Sequence, residues 1–330
     1  MAIRYSPVDD VVNSGALGQM DSPNFTFVYD FEKLSTGLEE DFRAWTERNW
    51  HYTVYISAIY VALVFYGQRY MKNRPPFNLR PMLAAWSGIL AIFSIMGAYR
   101  TLPELIHTWQ NYSFHHTICH PNYFYGVTGF WSICFVLSKA YELGDTAFIV
   151  LRKQNLMFLH WYHHITVLMY VFQSYSEHTA PGRWFFAMNY TVHAFMYSYY
   201  ALRAMQFRPP RWTSMCITSM QIVQMIIGCL VFAYVQWTKR AGLPCQVSDA
   251  NALSGSIMYL SYFLLFANFF YHSYMKPSAR RSTATTAAAA GSGGSGSNSS
   301  EQHTKQPDVA AVLKSVASME RHGFVAKKEK

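Results

Sequence analysis

Charge is scarce in this sequence. Only 14% of the residues are Asp, Glu, Lys or Arg, against roughly 25% in an ordinary soluble domain. That scarcity excludes a conventional soluble fold for the bulk of the chain. Also missing is a basic start followed by an apolar run. The first 50 residues instead hold Asp9, Asp10, Asp21, Asp30, Glu32, Glu39, Glu40 and Asp41. No cleaved signal peptide is expected, and the first membrane helix should act as the targeting signal. There is no soluble basic patch with interleaved aromatics, so the net charge of +9 does not point to nucleic acid.

Apolar and aromatic residues fill the gap: 51% of the chain is hydrophobic and 17% aromatic, with 24 Tyr and 24 Phe. Mean hydropathy is only +0.02, because polar tails dilute an apolar middle. A membrane-spanning helix needs roughly 20 apolar residues. Seven windows meet that need: Tyr52–Tyr70, Pro81–Tyr99, Gly126–Leu151, Leu156–Gln173, Trp184–Arg203, Trp212–Val235 and Ala252–Tyr274. The expected fold is an all-α membrane protein with seven transmembrane helices. Residues 1–50 form an N-terminal segment, 51–276 the helical membrane domain and 277–330 a polar tail.

The loops alternate in charge. One side receives Arg69, Lys72, Arg74 and Arg80, then Arg152 and Lys153, then Arg203, Arg208 and Arg211, then Lys276, Arg280 and Arg281; the other receives Arg100, Arg183, Lys239 and Arg240. The positive-inside rule puts the first set in the cytosol, the N-terminus in the lumen and the C-terminus in the cytosol. Asn24-Phe25-Thr26 is then a glycosylation sequon on the lumenal side. Cys119 and Cys245 fall in lumenal loops, where a disulfide can form, whereas Cys134, Cys216 and Cys229 fall in spans. A Cys119–Cys245 bridge is expected, with two free thiols as the alternative. Ser282–Ser300 holds almost no large apolar residue and reads as a disordered linker. Lys327 and Lys328, fourth and third from the end, resemble a dilysine retrieval signal of the endoplasmic reticulum, with a generic charged tail as the alternative.

Several windows carry polar residues that a bilayer core disfavours. His160, His163 and His164 stand at i, i+3 and i+4, on one helical face. Lys139, Glu142, Asp145 and Thr146 form a second stripe. Asn189 and His193 form a third at i, i+4, with Met196, Tyr197 and Tyr200 on nearly the same face. Thr218, Gln221 and Gln224 form a fourth. Each stripe alone is explicable as helix-to-helix glue, and Lys139 can pair internally with Glu142. Together they lie mostly in the cytosolic half or near the midplane, which a shared polar chamber explains better. Such a chamber suits an amphiphile with a charged head in the cytosol and a tail in the membrane.

Three chemistries compete for it. A di-iron desaturase or hydroxylase needs about eight histidines in several boxes on one side; here one HxxHH box exists, and His115, His116 and His120 fall in a lumenal loop. A seven-span receptor fits the span count but does not require this group of His, Lys, Glu and Asp. Acyl transfer uses every group: imidazole attacks a thioester or serves as a base, neighbours fix its tautomer, and Asn or Gln stabilises an oxyanion.

Four strings in order, Lys139-Ala-Tyr-Glu142-Leu-Gly-Asp145-Thr146, His160-Trp-Tyr-His163-His164, Asn189-Tyr-Thr-Val-His193-Ala-Phe-Met196-Tyr197-Ser-Tyr199-Tyr200 and Thr218-Ser-Met-Gln221-Ile-Val-Gln224, resemble the signature motifs of the very-long-chain fatty acid elongases. The resemblance runs from about Trp45 to Met275. The string Phe158–Leu168 looks most like the branch acting on saturated and monounsaturated acyl chains. The resemblance implies a 3-ketoacyl-CoA synthase that condenses acyl-CoA with malonyl-CoA. It implies six of seven helices in a barrel around an acyl tunnel closed at the lumenal end, and no metal or redox cofactor. Reductases and a dehydratase of the elongation cycle would be its partners beside membrane lipid; oligomeric state, a homodimer included, stays open. By the same resemblance His163 is the expected nucleophile, with His160 and His164 orienting or deprotonating it. His193 and Asn189 would face it, and Lys139, Glu142, Asp145, Thr146, Tyr197, Tyr200, Gln221 and Gln224 would hold substrate. Lys139 would pair with a phosphate or with Asp145.

Overall fold

In the computed structural model, residues 25, 27–33 and 37–276 are described. Among them there is no strand. The helices are α1 Leu38–Asn49, α2 Tyr52–Met71, α3 Arg80–Asn111, α4 Phe114–Cys119, α5 Gly126–Glu142, α6 Gly144–Leu151, α7 Phe158–Ser176, α8 Gly182–Ala204, α9 Arg211–Arg240 and α10 Asp249–Phe270. A short 3-10 turn covers Asn122–Phe124, and α10 continues through a π turn at Tyr271–Met275. Asn24, Lys327 and Lys328 lie outside the described residues.

Every apolar window is helical, but three details differ from the expectation. The window 126–151 is two helices, broken after Glu142. At the break Gly144 lies against the Trp86 indole, where a Cβ would stand 2.8 Å from a ring carbon, and the next residue, Asp145, accepts from Trp86 Nε1 at 2.6 Å. The second window ends at Tyr99, and Arg100 and Glu104 follow it. The helix nevertheless continues to Asn111, since both charges are buried and paired: Arg100 with Glu32, and Glu104 with Arg183 at 3.1 Å. A buried charge is tolerated when a partner offsets its desolvation. Third, the helix α1 precedes the first window; its first turn holds Glu39, Glu40 and Asp41 and its last turn Arg48, the distribution that complements a helix dipole.

Among the described residues three helices, α3, α9 and α10 with its π turn, are long and apolar enough to cross a membrane. Large apolar side chains such as Ile89, Ile92, Leu230 and Ile257 stand more than half exposed on their outer faces. Such a surface is unfavourable in water and suited to lipid. Polar contacts lie inward. The broadest helix contact joins α3 to α8. Gly97 allows it: a Cβ there would stand 2.4 Å from the Tyr190 ring, whose hydroxyl donates to Trp131 O at 2.9 Å. Between α9 and α10, Gly255 makes room for Phe232 in the same way, and Phe232 stacks on Phe185 at 5.0 Å between centroids.

One end of the bundle is tied by covalent and ionic links. A Cys119–Cys245 disulfide joins the end of α4 to the segment before α10. Gln246 N donates to Cys119 O at 3.1 Å, and Ala180 N to Gln246 O at 2.8 Å. Residues 27–33 are pinned beside it: buried Glu32 accepts from Arg100 Nε at 2.7 Å and from Trp131 Nε1 at 2.8 Å. Burial works to raise the Glu32 carboxyl, but these bonds and the Arg100 charge outweigh it and hold the group below the usual carboxylate range. His178, between α7 and α8, stacks on Phe124 at 4.1 Å. Burial, together with the Arg43 charge, pushes its imidazole down to about 4.

Candidate active site

The four polar stripes converge because α5, α6, α7, α8 and α9 surround one chamber of about 740 Å³. Glu142, Asp145, His160, His163, His164, Asn189, His193, Tyr197, Tyr200, Gln221 and Gln224 all line it. Lys139 and Thr146 do not. Both were expected to hold substrate; instead they stand behind the lining and brace groups that do face it. Lys139 Nζ donates to Glu142 Oε1 at 2.7 Å and to Asn189 Oδ1 at 2.8 Å, and its side chain is buried. It pairs with neither Asp145 nor open space. Thr146 Oγ1 lies 2.5 Å from Tyr60 OH and 3.0 Å from His160 Nε2.

The Asp145 carboxylate is shared between neutral donors, Trp86 Nε1 at 2.6 Å and Tyr197 OH at 2.7 Å. Across the chamber, Asn189 Nδ2 is 3.1 Å from His193 Nε2, and His193 Nδ1 is 3.8 Å from Glu142 Oε1. Gln221 Nε2 lies 3.4 Å from Met196 Sδ.

The three histidines of α7 have different surroundings. His160 is engaged by Thr146. His164 is buried, its Nδ1 without a hydrogen-bond partner among the described residues, and its ring lies 4.5 Å from that of His160. His163 is half-buried and its ring stands 4.9 Å from that of Tyr262. Tyr262 OH reaches Thr166 Oγ1 at 2.5 Å and donates to His163 O at 3.3 Å, which holds α7 against α10 at this turn.

A second, apolar slot leads inward. His163, Asn189, Gln224 and Met225 line both it and the polar chamber. Beyond them its wall is Phe135, Val136, Val167, Val171, Phe185, Met258 and Tyr259, and it reaches Tyr123, Phe124 and Thr179 near the disulfide. Tyr123 OH donates to Thr179 O at 2.7 Å. The chamber therefore has a polar end and an apolar end, and one histidine and one asparagine stand at their junction.

The polar end carries Arg80, Arg152, Arg203 and Arg208 in its lining. Read along the sequence these were loop charges that set orientation. They come from three separate loops, with Arg80, Arg152 and the Arg203–Arg208 pair tens of residues apart, which conceals that they share one mouth. Tyr60, Trp86 and Tyr262 were also missed, because an aromatic in a span reads first as packing. The lone signal was the hydroxyl or indole N–H that each must bury with a partner. In the other dense histidine group, His116 and His120 stack at 4.2 Å, away from the chamber. Among the described residues no three His, Cys, Asp or Glu side chains stand together as metal ligands do.

This arrangement, a helical membrane protein with imidazoles between a cationic mouth and an apolar slot, is that of an enzyme acting on an amphiphile. Comparison with known families agrees. Residues 45–282 match the ELO family, described as GNS1/SUR4, and the chain belongs to that family. It is 50% identical over 265 residues to very long chain fatty acid elongase 6 of Drosophila melanogaster, covering 79% of this chain and 83% of that protein. It is 48% identical to putative fatty acid elongase 3 of Caenorhabditis elegans, covering 72% and 74%. Human very long chain fatty acid elongase 6 is 46% identical, covering 75% and 92%.

Proposed function

We propose that this protein is the condensing enzyme of fatty acid elongation, a 3-ketoacyl-CoA synthase that joins a long-chain saturated or monounsaturated acyl-CoA to malonyl-CoA. One observation carries the reading: His163 and Asn189 line both the polar chamber and the apolar slot. An acyl chain in the slot with its CoA in the chamber puts the thioester beside that histidine. The four arginines suit the phosphates of CoA, which pair well with guanidinium groups.

The reaction runs in two halves. A ring nitrogen of His163 attacks the thioester carbonyl, the carbon–sulfur bond breaks, and CoA leaves as its thiol after taking up a proton. The acyl group is then an amide-like acyl-imidazole. His163 is suited to this step because its ring has no hydrogen-bond partner among the described residues, so its nitrogen lone pair is available. Malonyl-CoA then loses carbon dioxide, and the enolate attacks the acyl carbon, forming the new carbon–carbon bond, breaking the acyl–nitrogen bond and releasing His163, which takes up a proton from water to return to neutral imidazole. Asn189, at the junction, offers an N–H to the developing oxyanion. His160 and His164 orient His163 or move its proton. No metal or redox cofactor enters; separate reductases and a dehydratase consume the ketone.

The same reading makes the seven apolar windows seven spans, six of them a barrel around the slot, with residues 1–50 lumenal and 277–330 a cytosolic tail. It puts the protein in the endoplasmic reticulum membrane, with Asn24 as glycan acceptor and Lys327 and Lys328 as the retrieval signal. The ion-paired, disulfide-linked end is then lumenal and the arginine mouth cytosolic.

The test is an assay of purified protein with malonyl-CoA and a panel of acyl-CoAs, with and without a chelator. Ketoacyl-CoA should form without reductant and be unaffected by chelation. With acyl-CoA alone, mass spectrometry should map an acyl adduct to His163. Active protein with no adduct on any histidine would sink the covalent route, and oxidised acyl product would instead favour a di-iron enzyme.

A further inference from the structure

Hydrogen-bond direction around Lys139 fixes more of the site than its position does. An ammonium has donors and no acceptor. Its contact to Asn189 Oδ1 at 2.8 Å is therefore a bond from lysine to amide oxygen, which settles the amide's orientation. With the oxygen turned to Lys139, Asn189 Nδ2 is the atom that faces His193 Nε2 at 3.1 Å. An amide nitrogen donates, so His193 Nε2 must accept. A neutral imidazole carries its proton on one nitrogen; here that is Nδ1, which faces Glu142 Oε1 at 3.8 Å. The same Glu142 oxygen receives Lys139 at 2.7 Å and Ser138 Oγ at 3.1 Å, so the lysine and the imidazole converge on one carboxylate oxygen.

We infer that Lys139 is a positioning residue: through Asn189 it locks His193 as the Nδ1–H tautomer and turns the second N–H of Asn189 toward the junction of chamber and slot. Turned the other way, Asn189 would bring its two amide hydrogens against the lysine donor and offer an oxygen, not an N–H, to His193. In the observed orientation the His193 Nε2 lone pair is occupied. That histidine is then a fixed acceptor for Asn189 and not a second nucleophile. Lys139 does this from behind the chamber lining, without touching substrate.

The assignment deepens the condensing-enzyme reading, and its first test needs no substrate, so the two fail separately. The full-length protein is labelled with 15N-histidine and its resonances recorded in detergent, with His193 identified by its loss in His193→Gln. The expected spectrum has a protonated Nδ1 and an unprotonated Nε2; a proton on Nε2 in the unaltered protein overturns the inference. Asn189→Asp keeps an acceptor for Lys139 but replaces the donor facing His193 with a second acceptor. It should move a proton onto Nε2, and a proton that stays on Nδ1 alone also overturns it. Kinetics separate positioning from binding. Lys139→Met should lower kcat by about a hundredfold, the scale on which a displaced catalytic group costs rate, with KM for acyl-CoA within about twofold. Lys139→Arg, which keeps a donor, should recover part of kcat. A raised KM at unchanged kcat would mark Lys139 as a substrate-binding group and reject the proposal.

Discussion

The hydroxyl of Thr146 lies 3.0 Å from Nε2 of His160. Its other contact is Tyr60 OH, 2.5 Å away, so one hydroxyl joins α2, α6 and α7. A hydroxyl has one proton to give and can also accept. Tyr60 donating to Thr146, and Thr146 donating to His160 Nε2, is the direction that leaves the His160 proton on Nδ1. Thr146→Val keeps the shape and removes the link. Activity should fall about fivefold, consistent with losing a bond of roughly 1 kcal/mol, and Thr146→Ser should restore much of it. Steady-state kcat of the three proteins checks this; equal rates in Thr146→Val would remove the link from the mechanism.

The arginine mouth gives a binding prediction of different character. Arg152→Gln and Arg203→Gln should each raise KM for acyl-CoA several-fold with little change in kcat, because charge contacts far from the reacting carbon bind ground and transition states alike. The unaltered enzyme should lose affinity as salt rises, since phosphate contacts at an open mouth are screened. Initial rates across a salt series decide it.

Helix contact through Gly97 predicts a stability defect without a site defect. Adding a Cβ 2.4 Å from the Tyr190 ring forces α3 and α8 apart. Gly97→Ala should cost about 1–3 kcal/mol, the range for overpacking a well-filled interior, seen as a lower thermal midpoint in detergent. Gly88, with nothing within 4 Å of its Cβ position, is the control: Gly88→Ala should leave the midpoint unchanged or raise it slightly.

Reduction should act at the opposite end from the arginines. The Cys119–Cys245 bridge closes a sequence separation of 126 residues, and removing a native bridge typically costs about 2–5 kcal/mol. Cys119→Ser with Cys245→Ser should lower the melting midpoint, and dithiothreitol should lower that of the unaltered protein but not that of the double variant.

Acid should loosen the same end. His178 is held at about 4, below its ordinary value near 6.5, so between those limits the unfolded segment binds a proton that the folded one refuses. Stability from this group is full above about 6.5, falls as pH drops toward about 4, and levels off below it. Glu32, held low by Arg100 and Trp131, adds stability above the usual carboxylate range that is lost at more acidic pH still. His178→Gln should flatten the upper part of the curve. Hydrogen exchange of residues 174–182 as a function of pH measures it.

Much of the architecture was legible because hydropathy is a local property. A run of apolar residues makes a helix in a membrane whatever its neighbours, since backbone groups there must bond within the segment. The errors came from distant partners: Gly144 at the break lies against Trp86, 58 residues away in sequence, and the charges past Tyr99 in α3 are paired with Glu32 and Arg183. Charges in the sequence look like helix ends until a partner is found for them.

By itself the sequence determined where the apolar helical windows lie, the family and the set of polar residues that the membrane makes conspicuous. Periodicity could put His160, His163 and His164 on one face but could not rank them. Only the tertiary structure separated them, by giving His160 to Thr146, burying His164 and setting His163 where two cavities meet. It also moved Lys139 and Thr146 from the lining to the bracing behind it, and brought arginines of three separate loops to one mouth. The reason is physical: spacing along a helix fixes which way a side chain leaves its own axis, whereas its hydrogen-bond partner and its access to substrate depend on residues of other helices.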